Sequence, residues 1–205
     1  MPAENLRAAH RKRRAGGGKR AVVLDAVTDV LAERGYENTR FADVSTASGV
    51  AISTLQNYFG SREDMVIEAM EMSTIREVDA LESVAAAEGD PWDRLIAMID
   101  RSLNSSHRTR QLLVEFWRSA MRDDEVRKYS VEGWERYRTP FLAAVNEGRE
   151  HGAFTPTLSP DDIADFVQSA LAGAIVSHVL HPAPSSANFR AVLLTQLRSM
   201  LGLDV

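Results

Sequence analysis

The stretch Thr39-Arg40-Phe41-Ala42-Asp43-Val44-Ser45-Thr46-Ala47-Ser48-Gly49-Val50-Ala51-Ile52-Ser53-Thr54-Leu55-Gln56-Asn57-Tyr58 carries two helical patterns, each barely two turns long. Thr39 is a good N-cap, its hydroxyl able to accept from an unpaired backbone N–H, and predicts a helix over Arg40–Ala47 with Phe41 and Val44 facing inward. Ala47-Ser48-Gly49-Val50 interrupts that helix, and a second one runs from Ala51 to Asn57 or Tyr58. Two short helices joined at a glycine turn make a helix-turn-helix arrangement, in which the second helix enters the major groove and the first braces it.

Working outward, Val23, Ala26, Val27, Val30 and Leu31 recur three and four apart and predict a helix over Lys19–Arg34, with Gly35 as its stop. Ahead of it, His10-Arg11-Lys12-Arg13-Arg14 and Ala15-Gly16-Gly17-Gly18 combine charge with glycine, and residues 1–18 are expected to form a flexible basic arm. On the other side, Ser61 with Asp64 three positions on has a capping-box pattern and opens a helix reaching about Ala86. Asp90 as cap and Pro91 at the first position start another, with Trp92, Leu95, Ile96 and Ile99 as its buried stripe. Ser105–Arg108 reads as a joint, followed by helices over Thr109–Ala120 and Asp124–Glu150, the latter to be kinked or split at Pro140. Ser159, Pro160 and Asp162 restart a helix to about Leu180. After a turn at His181–Ser186, a last helix covers about Ala187–Leu201. The reading is all-α, with about nine helices in three parts: the arm (1–18), a helix-turn-helix domain (19–64) and a larger helical domain (65–205).

Within residues 35–64 the identities are more specific than the spacing. Gly35-Tyr36 precedes Thr39; Val44, Ala47, Gly49 and Val50 stand in the helix-turn-helix; Thr54-Leu55, Tyr58-Phe59 and Ser61-Arg62-Glu63-Asp64 follow. As an ordered set these residues resemble the TetR family of one-component transcriptional regulators. The sequence departs from the family at three places: Ala51 stands where Ser is common, Ser53 where Gly or Ala is common, and Gln56 where Tyr is common. The resemblance implies a homodimer that binds a double-stranded, pseudo-palindromic DNA operator as a repressor and is released by a small-molecule effector. An activator or global regulator without an effector, and an all-helical protein-interaction module, are the competing readings.

Thr39 and Arg40 resemble positions near the DNA backbone, and Tyr58 looks like a phosphate contact. The early face of the second helix presents Ala51, Ser53, Thr54, Gln56 and Asn57. Gln56 and Asn57 offer donors and acceptors to base edges, while Ala51 and the Thr54 methyl suit a thymine methyl. A phosphate rather than a base as the Gln56 partner, and ordinary packing for Tyr58, stay open. Val50, Leu55 and Phe59 belong to the small core. Arg11–Arg14, with Arg13 and Arg14 foremost, and Lys19-Arg20 are expected to reach phosphates, or to place an arginine in the adjacent minor groove.

For the larger domain, Glu115-Phe116-Trp117 through Tyr129 to Phe141 resembles the BetI-like subgroup. Trp92, His107, Glu115, Trp117, Tyr129, Trp134 and Tyr137 lie on helices that would surround a cavity for a mostly apolar ligand, against the alternative that they are ordinary core. Phe166, Ala170, Gly173, Ala174 and Ser177, with Phe189, Leu193 and Leu197 on the last helix, are expected to form the dimer face as half of a four-helix bundle.

Composition sets the outer bounds. The chain has 205 residues, no Cys and a formal charge of -5. Without thiols there are no disulfides, thiolate metal sites or cysteine nucleophiles. The charge is polarised: seven Lys/Arg against one Glu in residues 1–20, 15 basic against 23 acidic side chains in residues 61–205. His178 and His181 are close at helical spacing but lack a third ligand, and no GxSxG, HExxH, P-loop or dinucleotide-binding glycine pattern occurs, so neither catalysis, a metal nor a cofactor is expected. No run of apolar residues reaches membrane-spanning length and no signal-peptide pattern is present, which points to a cytoplasmic protein with no membrane partner.

Overall fold

In the computed structural model of the chain, which describes residues 17–181 and 186–203, every described element is helical. Nine α-helices follow one another among the described residues: α1 (Gly17–Arg34), α2 (Phe41–Ser48), α3 (Ile52–Phe59), α4 (Arg62–Ala85), α5 (Pro91–Leu103), α6 (His107–Ala120), α7 (Asp124–Glu150), α8 (Pro160–Leu180) and α9 (Ser186–Met200). A 3₁₀ turn at Tyr36–Asn38 separates α1 from α2. The chain divides into two compact units, up to Ser73 and from Thr74 onward, so the boundary falls inside α4.

The small unit is built around the apolar stripe of α1. Val23, Val27, Val30 and Leu31 are buried and share the interior with Val44, Leu55, Phe59, Met65 and Val66. Gly35 (φ 78°) ends α1, its N–H donating to the Leu31 carbonyl. Gly49 (φ 70°) ends α2 in the left-handed conformation, and its N–H donates to the Ser45 carbonyl at 3.0 Å. A side chain at Gly49 would meet no neighbour, so backbone conformation rather than space requires the glycine there.

Thr39 does not cap α2. It is fully buried, and its hydroxyl donates to the Gly35 carbonyl at 2.9 Å. Arg40 occupies the N-cap position, and Asp43 accepts from its backbone N–H at 3.2 Å. The carbonyl exposed by the end of α1 competes for the threonine hydroxyl, and a carboxylate one turn into α2 does the capping instead.

The large unit has its core where α4, α5, α7, α8 and α9 meet: Leu81, Leu95, Met98, Ile99, Phe141, Val145, Phe154, Ile163, Val167, Leu171, Leu193 and Leu197. Side-chain caps start its helices. Asp90 accepts from Trp92 N–H, Ser106 from Thr109 N–H, Asp123 from Glu125 N–H and Ser159 from Asp162 N–H. Pro140 is buried within α7, which continues unbroken across it from Asp124 to Glu150. Gly148 lets the Phe154 ring lie against the helix backbone; an added Cβ would sit 2.1 Å from that ring. Ion pairs join the helices at the surface: Arg138 on α7 binds Asp165 (2.5 Å) and Asp161 (2.7 Å) of α8, and Arg190 on α9 grips Asp100 of α5 with two bonds.

By length and composition α8 could cross a membrane. Here Ile163, Ala164, Val167 and Leu171 on one side of it are core residues. Ala174, Leu193 and Leu197 are also buried inside the protomer, at 6%, 3% and 0% exposure, because they pack into this same core. They are therefore not surface for a second copy. The outward residues on these two helices are Phe166, Ala170 and Phe189, half-buried, and Gly173, Ser177, Leu180 and Val192, exposed.

Between α5 and α7 the Tyr137 hydroxyl bonds Ser102, whose own hydroxyl donates to the Met98 carbonyl. Burial pushes the Tyr137 phenol up to about 12, against the opposing effect of the Ser102 bond. An unfolded tyrosine ionises near 10, so the folded form is at a disadvantage only above that pH. Unfolding stability is expected to fall by an order of 2 kcal/mol between about pH 10 and 12, and Tyr137→Phe to remove that part of the decline, as read by denaturant titration across the range.

Candidate nucleic-acid interface and ligand cavity

α3 divides cleanly by exposure. Leu55 and Phe59, one turn apart, are buried and anchor it, whereas Ala51, Ile52, Ser53, Gln56 and Asn57 are exposed and Thr54 and Tyr58 half-buried. The residues that sequence placed on the reading face are thus exposed or half-buried.

Two arginines fix that surface from behind. Arg20, only 5% exposed, donates to the Tyr58 carbonyl at 3.1 Å and to Glu68 at 2.6 Å, and its guanidinium lies 5.1 Å from the centre of the Phe59 ring. It closes the C-terminal end of α3 against α1 and α4. Arg62 donates through Nε to the Thr39 carbonyl at 2.7 Å and through a terminal nitrogen to the Tyr36 carbonyl, over the Tyr36 ring. It ties the approach to α2 onto the start of α4. Arg20, expected at a phosphate, is thus an internal clamp: its main-chain and carboxylate partners lie one helix away, and burial withholds it from DNA. The buried Thr39 side chain is withheld for the same reason.

Arg40, at the exposed N-cap of α2, and Lys19, exposed in the first turn of α1, stay at the surface. Lys19 borders a groove shared with Gly18, Val22, Val23, Val50, Thr54 and Tyr58, which brings a cationic side chain, the start of a helix and two hydroxyl-bearing residues together. Arg13 and Arg14 lie outside the described residues. From residue 17 to residue 73 there are five basic and nine acidic side chains, and two of the five are the buried or half-buried clamps. Residues 17–73 therefore carry a net negative charge.

The large unit holds a small cavity of about 50 Å³. Trp117, Trp134 and Tyr137 meet there, with Phe116, Leu171, Ile175 and Gln168 among the other walls. The two indoles stand edge to face at 6.3 Å. Gly133 on α7 adds to the space, since a Cβ there would lie 2.9 Å from the Thr74 methyl. The remaining sequence candidates are elsewhere. Trp92 lies beneath the Arg198 guanidinium, His107 is exposed at the start of α6, Glu115 forms a two-bond pair with Arg118, and Tyr129 is half-buried on α7 outside the lining. Gln168 was not among the candidates. It is 2% exposed and donates to the Trp134 carbonyl at 2.8 Å. Its signal in the sequence is an amide in the segment Phe166–Val176, whose one other polar side chain is Ser169.

Comparison with known proteins agrees with this arrangement. The pattern of the bacterial regulatory proteins, tetR family, matches residues 23–69, and that of the BetI-type transcriptional repressor, C-terminal, matches residues 91–202. The HTH-type transcriptional regulator BetI of Rhizobium meliloti is 25% identical over 173 residues, spanning 82% of this chain and 81% of the relative. Two solved structures share the fold. One is a transcriptional regulator from Saccharomonospora viridis in complex with choline (TM-score 0.78, 18% identity, 88% of this chain and 95% of that one). The other is FadR from Bacillus subtilis in complex with stearoyl-CoA (TM-score 0.74, 18% identity, 90% and 99%). The second pattern alone covers more than half of the chain, and with a helix-turn-helix held by Arg20 and Arg62 ahead of a BetI-type helical domain, this protein belongs to the TetR family of DNA-binding transcriptional regulators.

Proposed function

We propose that this protein is a homodimeric repressor whose α3 reads a pseudo-palindromic operator and whose large unit binds a small molecule that releases it. The exposed row Ala51, Ser53, Gln56 and Asn57, backed by buried Leu55 and Phe59, carries the reading. It presents short and amide side chains on a helix of the size that fits a major groove, with no charged side chain among them. Gln56 and Asn57 read base edges. Lys19, Arg40 and Tyr58 face phosphates, and Arg13 and Arg14 on the arm add salt-dependent affinity.

The outward face of α8 and α9 supports pairing with a second copy. Gly173 and Ser177 let backbones approach, while Phe166, Leu180 and Val192 supply apolar area that water would otherwise cover. Two such copies would present two α3 helices to half-sites about 34–36 Å apart or a multiple of it. α4 provides a link for release. Its Arg62 and Glu68 hold the reading unit together, and its Thr74 lines the cavity of the large unit. A ligand that favours one position of α4 therefore has a differential interaction with two states, as a population shift requires.

Selection of bound fragments from genomic DNA is expected to enrich a pseudo-palindrome, and salt-sensitive binding with no enriched sequence would remove operator recognition. Replacing Gln56 and Asn57 by Ala should relax base preference at their positions by about 1–3 kcal/mol, whereas Arg13→Ala should weaken all sequences alike and lower the salt slope. Arg20→Met should leave Glu68 without its cation and destabilise the reading unit by about 3 kcal/mol, abolishing operator binding while the sedimentation of the large unit is kept; retention of wild-type affinity would show that the clamp is dispensable. Sedimentation at micromolar concentration should give a dimer, and Gly173→Leu, which meets no neighbour within the protomer, should shift it toward monomer with unchanged helicity by circular dichroism.

A further inference from the structure

The cavity in the large unit has an unbalanced set of polar atoms. Gln168 Oε1 is buried without a hydrogen-bond partner, while Nε2 of the same amide donates to the Trp134 carbonyl. Rotating the amide would bring its oxygen against that carbonyl, two acceptors face to face, so the bond to Trp134 fixes the oxygen as the unpaired atom. Another polar side chain of the lining is that of Tyr137. The Ser102 hydroxyl spends its proton on the Met98 carbonyl, so in the Ser102–Tyr137 bond it is Tyr137 that donates. What Tyr137 retains is an acceptor lone pair. Both groups therefore present acceptors, and one of them is wholly unsatisfied.

Apart from the hydroxyl-bearing Thr74 and Ser130, the rest of the lining is apolar or aromatic, and among the described residues none that borders the cavity carries a charge. A charged ligand would lose its hydration with no counter-charge to replace it, and the aromatic faces offset only part of that loss for a cation. An orphaned buried carbonyl, in contrast, is relieved by a single N–H or O–H.

We infer that this cavity selects an uncharged, mainly apolar molecule bearing a hydrogen-bond donor, an alcohol, phenol or N–H heterocycle, and that Gln168 is the residue which recognises the donor. This rests on the effector reading only for its consequence at the operator; the selectivity is a property of the cavity itself.

Matched probes test it by calorimetry on the full-length protein without DNA. Indole is compared with benzofuran, and benzyl alcohol with ethylbenzene, pairs of near-equal shape in which only the first member has a donor. The donor-bearing member is expected to bind roughly five- to tenfold more tightly. Gln168→Met, of similar length and volume, should bring both ratios to about one by weakening only the donors, and Ala172→Phe, which fills the cavity, should remove binding of all four. The wild-type ratios stand even if a variant fails to fold. Equal or inverted ratios overturn the inference, as does failure of all four probes at millimolar concentration, or tighter binding of benzyltrimethylammonium or phenylacetate than of benzyl alcohol. Donor-selective binding that leaves an operator complex intact would remove the effector reading and keep the inference, whereas operator release by a charged molecule alone would do the reverse.

Discussion

The small unit depends on the buried guanidinium of Arg20. Helices α2 and α3 are eight residues each, too short to persist by their own hydrogen bonds, so their placement is set by what they pack against. Leu55 and Phe59 supply the apolar contact, but a short helix resting on two side chains can still roll. Arg20 removes that freedom by binding the carbonyl of Tyr58 at one end of α3, a carboxylate on α4 and the face of the Phe59 ring together. A buried charge of this kind contributes little net stability when balanced, yet leaves a costly imbalance if either member is removed. Its value lies in geometry, as does that of Arg62, which holds the Tyr36 and Thr39 carbonyls on the side from which α2 is approached.

This changes what the charge pattern means. Of the basic residues near the N-terminus, the described pair Lys19 and Arg20 divides between surface and interior. Arg20 faces the interior and Lys19, its neighbour, the surface, because consecutive helical positions are about 100° apart and the stripe of Val23 and Val27 continues back through residue 20. The small unit is net acidic over residues 17–73, and the basic excess of the N-terminal stretch lies in residues 1–16.

Where a rule concerns a single local cause, the sequence was legible. The starts of α5 and α8 follow from Asp90-Pro91 and Ser159-Pro160, and α7 spans the residues its periodicity indicates. The all-α class and the helix-turn-helix were readable for the same reason. Thr39 was not, because its hydroxyl had two local partners and only the fold decides between them. Nor was Arg20, since periodicity does not distinguish an arginine meant for solvent from one meant for a carbonyl one helix away. In the large unit, which aromatic residues meet is a matter of helix rotation. Trp117, Trp134 and Tyr137 converge, while Trp92 joins a different surface under Arg198. Leu193 and Leu197 show the same limit: an apolar stripe says that a face is buried, not whether by the same chain or by another.

Both clamps share one chemical detail: apart from the carboxylates of Glu68 and Glu63, the groups they hydrogen-bond are main-chain carbonyls, those of Tyr58, Thr39 and Tyr36. A carbonyl is present whatever side chain the residue bears. The scaffold that positions α3 is consequently indifferent to the identities at Ser53, Gln56 and Asn57, and single substitutions along that exposed row leave the frame that holds the helix in place.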